Sequence, residues 1–284
     1  MTQRLAGKVA IITGASRGLG AFCAEAYARE GAAVAIAART EVEKSERLPG
    51  TIHHTAEQIR QAGGRALAVP CNVADVDSVE RMVERVLAEL GRVDILMNNA
   101  AVQPPGFIST ISFKHWELEF KVNVHGPLYC ARAVLPHMLE RGSGNIINIS
   151  SIAARGGSHY GATKRALEAM TIGLAAELRT KHIAVNALKP VGAIETPGLL
   201  LERAPGRVGG PPTRRTPPPD SYVEAAILLA MQTAESHSGH VQNDAEVIAQ
   251  LGGQEAQAAF RSLNPEPWVM AMDRAIERAA AATA

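Results

Sequence analysis

Residues 8–20, KVAIITGASRGLG, run from an apolar, β-branched strand candidate (Lys8 to Thr13) straight into a glycine-rich turn and the start of a helix. Glycines at 14, 18 and 20 permit a tight reversal and a close backbone approach. The first turn of the following helix carries N–H groups without intrahelical partners, and these attract anions. Strand, glycine turn and helix in that order form the context in which such a turn holds a pyrophosphate. Gly14, Ser16, Arg17, Gly18, Leu19 and Gly20 are therefore a candidate dinucleotide cradle, although the spacing is not GxGxxG. The competing reading is a plain strand-to-helix corner.

Outward from this corner, near-continuous apolar runs recur at Ala33–Ala38, Ala66–Pro70, Asp94–Met97, Asn145–Ile149 and Ile183–Leu188, with longer amphipathic stretches between them. The alternation predicts βα units feeding a sheet buried on both faces. The expected fold is α/β: a single Rossmann-like, doubly wound parallel sheet flanked by helices, with a C-terminal helical extension. One catalytic domain over residues 1–254 and a tail over 255–284 are expected, with helices at Tyr222–Thr233 and Glu266–Ala282. Two segments break the rhythm. TEVEKSERLPGTIHH, residues 40–54, is long for a βα connection and reads as a functional surface loop. Residues 203–220 hold six prolines and four arginines, which excludes a continuous helix and suggests a flap near substrate. Its arginines would suit an acidic substrate, against the plainer reading of a solvated lid.

The chain has 284 residues, 46% hydrophobic and 20% charged, with a formal net charge of +1, so neither nucleic acid nor an anionic membrane is an expected partner. Cys23, Cys71 and Cys130 are odd in number and widely spaced, which fits buried reduced thiols rather than a disulfide or zinc framework. No signal-like segment or apolar span is visible, and the cytoplasm is the expected location. Of nine histidines, His53 and His54 and also His237 and His240 lie close in sequence, but no third ligand accompanies them and no metal is expected.

The second strand ends AIAART, placing Arg39 where an acidic residue would receive the ribose of NAD. With Arg17 in the glycine turn, two guanidinium groups suit a 2′-phosphate, so NADP(H) is expected over NAD(H). In the alternative, Arg39 is solvated and Glu41 or Glu43 takes the ribose. YGATK places Tyr160 and Lys164 four residues apart, on one face of a predicted helix. A phenol titrates near pH 10, and a neighbouring ammonium brings its proton exchange toward neutrality. Taken alone, the pair reads as an ordinary amphipathic surface.

TGASRGLG, NNA (Asn98 to Ala100), KVNV around Asn123, NISS (Asn148 to Ser151) and YGATK follow one another in an order that resembles the short-chain dehydrogenase/reductase family over about residues 5–250. LPGTIHH and VNALKP further resemble the subgroup around hydroxysteroid dehydrogenase-like protein 2. The resemblance implies an oxidoreductase acting on carbonyl or alcohol carbon, with Asn123, Ser151, Tyr160 and Lys164 as the catalytic set. Tyr160 would exchange the proton, and Lys164 would lower its pKa and hold the nicotinamide ribose. Ser151 would bind the substrate oxygen and Asn123 would anchor a water. Asn99 and Ala100 would lie beside the cofactor, Asn72 and Val73 near adenine, and Pro190, Gly192, Ile194 and Thr196 near the carboxamide. The resemblance also implies a homodimer or homotetramer built through the long helices. The chain departs from the pattern in placing only eight residues between Ser151 and Tyr160, which leaves Ser150 and Ser158 as alternative serines. NNAA stands for NNAG, and KPVGAIET carries one extra residue. A catalytically silent dinucleotide binder of the same fold is the alternative function.

Overall fold

The β-branched and alanine-rich runs form a seven-stranded, wholly parallel sheet. A computed structural model describes residues 3–43, 49–194, 196 and 218–283. The strands are β1 (Val9–Thr13), β2 (Ala33–Ala38), β3 (Arg65–Pro70), β4 (Ile95–Asn98), β5 (Gly144–Ile149), β6 (Ile183–Lys189) and β7 (Val241–Asn243), in the order β3-β2-β1-β4-β5-β6-β7. The winding reverses between β1 and β4, and in such sheets ligands bind beyond the strand C-termini at that reversal. Six strands match the sequence expectation within a residue or so at each end. The seventh was not anticipated: three residues are too short to carry a periodic signal.

Helices cover both faces because every central strand buries both of its faces. They are α1 (Gly18–Arg29), α2 (Ile52–Gln61), α3 (Val76–Leu90), α4 (Phe113–Phe120), α5 (Gly126–Arg141), α6 (His159–Leu178), α7 (Asp220–Ala230), α8 (Asp244–Leu251), α9 (Gly253–Leu263) and α10 (Glu266–Thr283). Two apolar clusters result. One holds Ile12, Tyr27, Ile36 and Tyr222 among α1, α2, α7 and α8, and the other holds Ile11, Val83, Val134 and Ile146 under α3 and α5. Cys23, Cys71 and Cys130 are free and buried within these layers, and burial pushes Cys71 up to about 11 and Cys23 up to about 12.

The helix expected from Tyr222 begins two residues earlier at Asp220, and α10 runs one residue beyond the expected Ala282. Most of the proline-rich segment, 203–217, lies outside the described residues, as does 44–48 of the long loop. The tail packs on its own chain: Phe260 of α9 and Met272 and Ala275 of α10 are buried in the first cluster. No described helix is long and apolar enough to cross a membrane, and among the described residues no cluster of three potential metal ligands occurs.

Candidate active site

The C-terminal ends of β1, β2, β4, β5 and β6 border a cleft of about 460 Å³. Its walls include Gly14, Ser16, Arg17, Gly18, Leu19, Gly20, Arg39, Asn72, Val73, Asn99 and Ala100 on one side, and Ser150, Ser151, Tyr160, Lys164, Pro190 and Thr196 on the other. Residues spread over most of the chain thus meet in one cavity.

The glycine turn is built for close approach. Gly14 has φ +68° and Gly18 φ +60°, which disfavour any side chain. A Cβ at Gly14 would sit 2.8 Å from the Ala100 Cα, and one at Gly20 would overlap the Asn99 amide. The glycines therefore let the Asn99–Ala100 segment nest against the turn as well as leaving its mouth open. Thr13 completes the joint, its buried hydroxyl accepting from the Asn99 and Ala100 N–H groups at 3.1 Å. Asn99 lines the cleft, but its side-chain amide donates to the Thr13 and Gly14 carbonyls at 2.8 and 3.2 Å. The N-cap of α1 is Arg17, whose side chain does not cap the helix. The first-turn amides are thus left to an anion, and a pyrophosphate fits this cradle.

Arg17 donates instead to the Pro49 and Gly50 carbonyls at 2.9 and 2.7 Å, so this part of the long loop rests on the glycine turn. Arg39 is exposed at the end of β2; burial holds Arg17 below its usual range, opposed by the nearby Glu43 charge and helped by repulsion from Arg39. Glu43 accepts from the Gly50 N–H at 3.3 Å and Glu41 faces His53. Neither acid lines the cleft.

Across the cleft, α6 presents Tyr160 and Lys164 one turn apart, with the Lys164 Nζ 5.5 Å from the phenol ring centroid. Lys164 is 2% exposed and donates to the Ile149 carbonyl at 2.7 Å. Burial lowers its ammonium to about 8, with Glu119 acting against the shift. The three serines have separate environments. Ser158 is the N-cap of α6 and accepts from the Gly161 N–H at 3.0 Å. Ser150 is buried and donates to Glu168 at 2.8 Å, and Glu168 also pairs with buried Lys189 at 2.9 Å. Ser151 is half-buried on the cleft wall and accepts from the Ala153 N–H at 3.2 Å, which leaves its own hydrogen to donate. The short Ser151–Tyr160 link closes as a single 3-10 turn, Ile152–Arg155. This turn lies so close to α6 that a Cβ at Gly161 would overlap the Ala153 carbonyl.

Asn123 lies in a π-helical turn, Lys121–His125, wedged between α4 and α5. Its side chain bonds both the N–H and the carbonyl of Val102 at 2.8 Å and reaches Thr163 at 3.1 Å. Four residues on stands Pro127, which has no N–H to offer the Asn123 carbonyl. Gly192 and Ile194 do not line the cleft. Gly192 is covered by the Trp268 indole of α10 so tightly that any Cβ would overlap it, and Ile194 is buried in the core. Beside them, Val191 N–H donates at 2.5 Å to Asp244, whose carboxyl burial raises to about 7.

Two residues next to the catalytic set were not singled out from the sequence. Glu119 is fully buried, with one carboxylate oxygen 2.7 Å from His159 Nδ1, and His159 Nε2 lies 3.0 Å from the Gly106 carbonyl. The available signal was a glutamate one turn before Asn123 and a histidine abutting Tyr160, and nothing in their spacing of forty residues pairs them.

A family model described as short chain dehydrogenase matches residues 8–201. The short-chain reductase protein NovJ of Streptomyces niveus is 38% identical over 205 residues, 71% of this chain and 74% of its own length. The 3-oxoacyl-[acyl-carrier-protein] reductase FabG of Thermotoga maritima is 30% identical over 248 residues, 84% of this chain and 96% of its own. A gluconate 5-dehydrogenase from Burkholderia cenocepacia, crystallised in complex with NADP and tartrate, superposes with a TM-score of 0.72 at 29% identity, covering 85% of this chain and 95% of that one. The parallel sheet, the cleft at its winding reversal and these matches agree: the chain belongs to the short-chain dehydrogenase family of oxidoreductases.

Proposed function

We propose that the protein is an NADP(H)-linked oxidoreductase acting on a carbonyl or alcohol carbon, with Tyr160 as proton donor and acceptor. The observation that carries this reading is the buried Lys164 ammonium beside the Tyr160 ring on the wall facing the glycine turn. The bound dinucleotide would supply or accept the hydride. In the reducing direction Tyr160 Oη gives its proton to the substrate oxygen, and Lys164 stabilises the phenolate left behind. Ser151 donates to the same oxygen and holds it in line. Lys164 returns a proton to Tyr160, and the Asn123 carbonyl offers an acceptor on the route outward. Gly14, Gly18 and Gly20 hold the pyrophosphate at the α1 N-terminus. Arg39 and Arg17 receive the 2′-phosphate, a reading supported by the presence of both arginines, and neither Glu41 nor Glu43, among the residues lining the cleft. Pro190 and Thr196 border the carboxamide, while Gly192 and Ile194 act by shaping that turn from behind. Exposed Leu128 and Leu139 on α5 and Ile172 on α6 suit a homo-oligomeric contact between these helices.

The test is Tyr160→Phe, assayed by NADPH oxidation against a panel of ketones, sugar ketones and 3-oxoacyl esters. A fall in kcat of about 10³-fold with NADPH binding retained is expected. Undiminished turnover would overturn the mechanism, and tight NADPH binding by a wild type that turns nothing over would identify a nucleotide-sensing member instead. Arg39→Glu should reduce the preference for NADPH over NADH by roughly tenfold, a change on the scale of one ion pair to phosphate.

A further inference from the structure

The buried Glu119–His159 pair joins three elements that meet at Tyr160. Glu119 belongs to α4, His159 is the first residue of α6, and Gly106 lies in the segment that follows β4. That segment supplies Ala101 and Val102 to the cleft wall and is held at two points: Val102 by Asn123, and Gly106 by His159.

The geometry fixes where the protons are. A carbonyl only accepts, so the contact with Gly106 requires a hydrogen on His159 Nε2. A single further proton then lies between His159 Nδ1 and Glu119 Oε2, 2.7 Å apart. The other carboxyl oxygen, Glu119 Oε1, is buried and without a hydrogen-bond partner among the described residues. An ionised carboxylate with a bare oxygen is far costlier in such a place than a neutral acid whose carbonyl oxygen is bare. The arrangement thus favours a protonated Glu119 that donates to neutral His159. Burial pushes the Glu119 carboxyl upward, opposed by His159 and by Lys164. The further charged group acting on Glu119 is Lys164 of α6.

We propose that Glu119 and His159 form a positioning latch that holds the substrate-side wall, residues 101–106, against the Tyr160 helix while they share one proton, and that releases it when the proton is lost. Removing that proton leaves the lone pair of Nδ1 pointing at a carboxylate, and the two acceptors repel. Adding a second proton keeps a donor between them, so the latch stays shut in acid and opens in base. The role in substrate binding rests on the oxidoreductase reading above, whereas the latch itself is a property of the free protein.

The test compares wild type with Glu119→Gln, whose amide can donate to Nδ1 at every pH. Hydrogen exchange of residues 101–111, corrected for the intrinsic rate, is followed upward from about pH 6 to about pH 9, the side toward which burial pushes the Glu119 carboxyl. Wild type should lose roughly tenfold in protection over this range, the loss expected for one charge-coupled hydrogen bond, while Glu119→Gln stays level. With the ketone turned over fastest in the panel, wild-type KM should rise with pH and the rise should vanish in Glu119→Gln. His159→Phe should raise KM at all pH values, and NADPH affinity should move in none of them. Identical exchange profiles for wild type and Glu119→Gln would overturn the latch. Should Glu119→Gln fail to fold, a wild-type wall whose protection does not fall with pH overturns it equally. Because exchange needs no turnover, a failed catalytic assignment leaves this test intact.

Discussion

The glycine turn and the Tyr160 wall face each other across one cleft, but they are assembled at different ranges along the chain. The turn is made within thirteen consecutive residues, 8–20, and its main outside support is Thr13 meeting Asn99 and Ala100 on the neighbouring strand end. The wall draws on α4, the π-turn at Asn123, β5, α6 and the segment after β4, through bonds that span 15 to 53 residues. In the proposed reaction the turn uses backbone amides that need no titration, whereas the wall uses buried side chains whose protons must be in the right place. Phosphate binding tolerates a local solution because every helix start offers it. Proton transfer needs desolvated charge, and only packing from several directions supplies that.

The largest expected effect comes from the wall. Lys164→Met should lower kcat by about 10²- to 10⁴-fold, the range for a proton-transfer partner. It should also change the pH dependence of stability. Lys164 is lowered to about 8 from 10.5 in the folded protein, so between these values the unfolded chain binds more protons and wild-type stability rises with pH. Below about 8 both states are charged and the desolvation penalty is constant. Lys164→Met should lack the rise, as read by urea denaturation from neutrality upward.

An intermediate effect is expected at the turn. If glycine served only the ligand, Gly20→Ala would weaken NADPH binding and leave stability alone. The overlap with Asn99 predicts that both fall together, with a loss of about 1–3 kcal/mol in unfolding free energy for the forced repacking. Denaturation beside a fluorescence titration with NADPH separates the two cases, and an unchanged stability would break the contrast drawn here.

The smallest effect on turnover concerns the buried turn after β6, behind the cleft wall. Asp244 is raised to about 7 from 3.8, so the folded state binds more protons across that window. Stability from this group is present below 3.8 and is lost as pH rises through about 7. Asp244→Asn keeps an acceptor for Val191 N–H and should remove that decline, as read by urea denaturation across the same pH window. A decline that persists in the variant would place the titrating group elsewhere.

Much of the sheet could be read in advance because a parallel strand buried on both faces must be apolar throughout, as VAIIT and AVAIAA are. The Tyr160–Lys164 relation was equally legible, since four residues is one helical turn. The serine was not: only the bonds of Ser150 to Glu168 and of Ser158 to the α6 N-terminus separate them from Ser151. Its place in the KPVGAIET turn makes Gly192 look like a cofactor neighbour, yet its face is taken by Trp268, seventy-six positions away and in the tail helix. Spacing cannot report a contact of that kind.

By itself the sequence determined six of the seven strands, the glycine turn and the helical pairing of phenol and ammonium, all of which follow from torsions and periodicities within a few residues. Tertiary structure alone decided which serine hydroxyl is already engaged by a buried carboxylate, how far Lys164 is desolvated, and that Glu119 meets His159. Burial and long-range hydrogen bonding depend on which elements pack together, and that information is shared among residues that are neighbours only after folding.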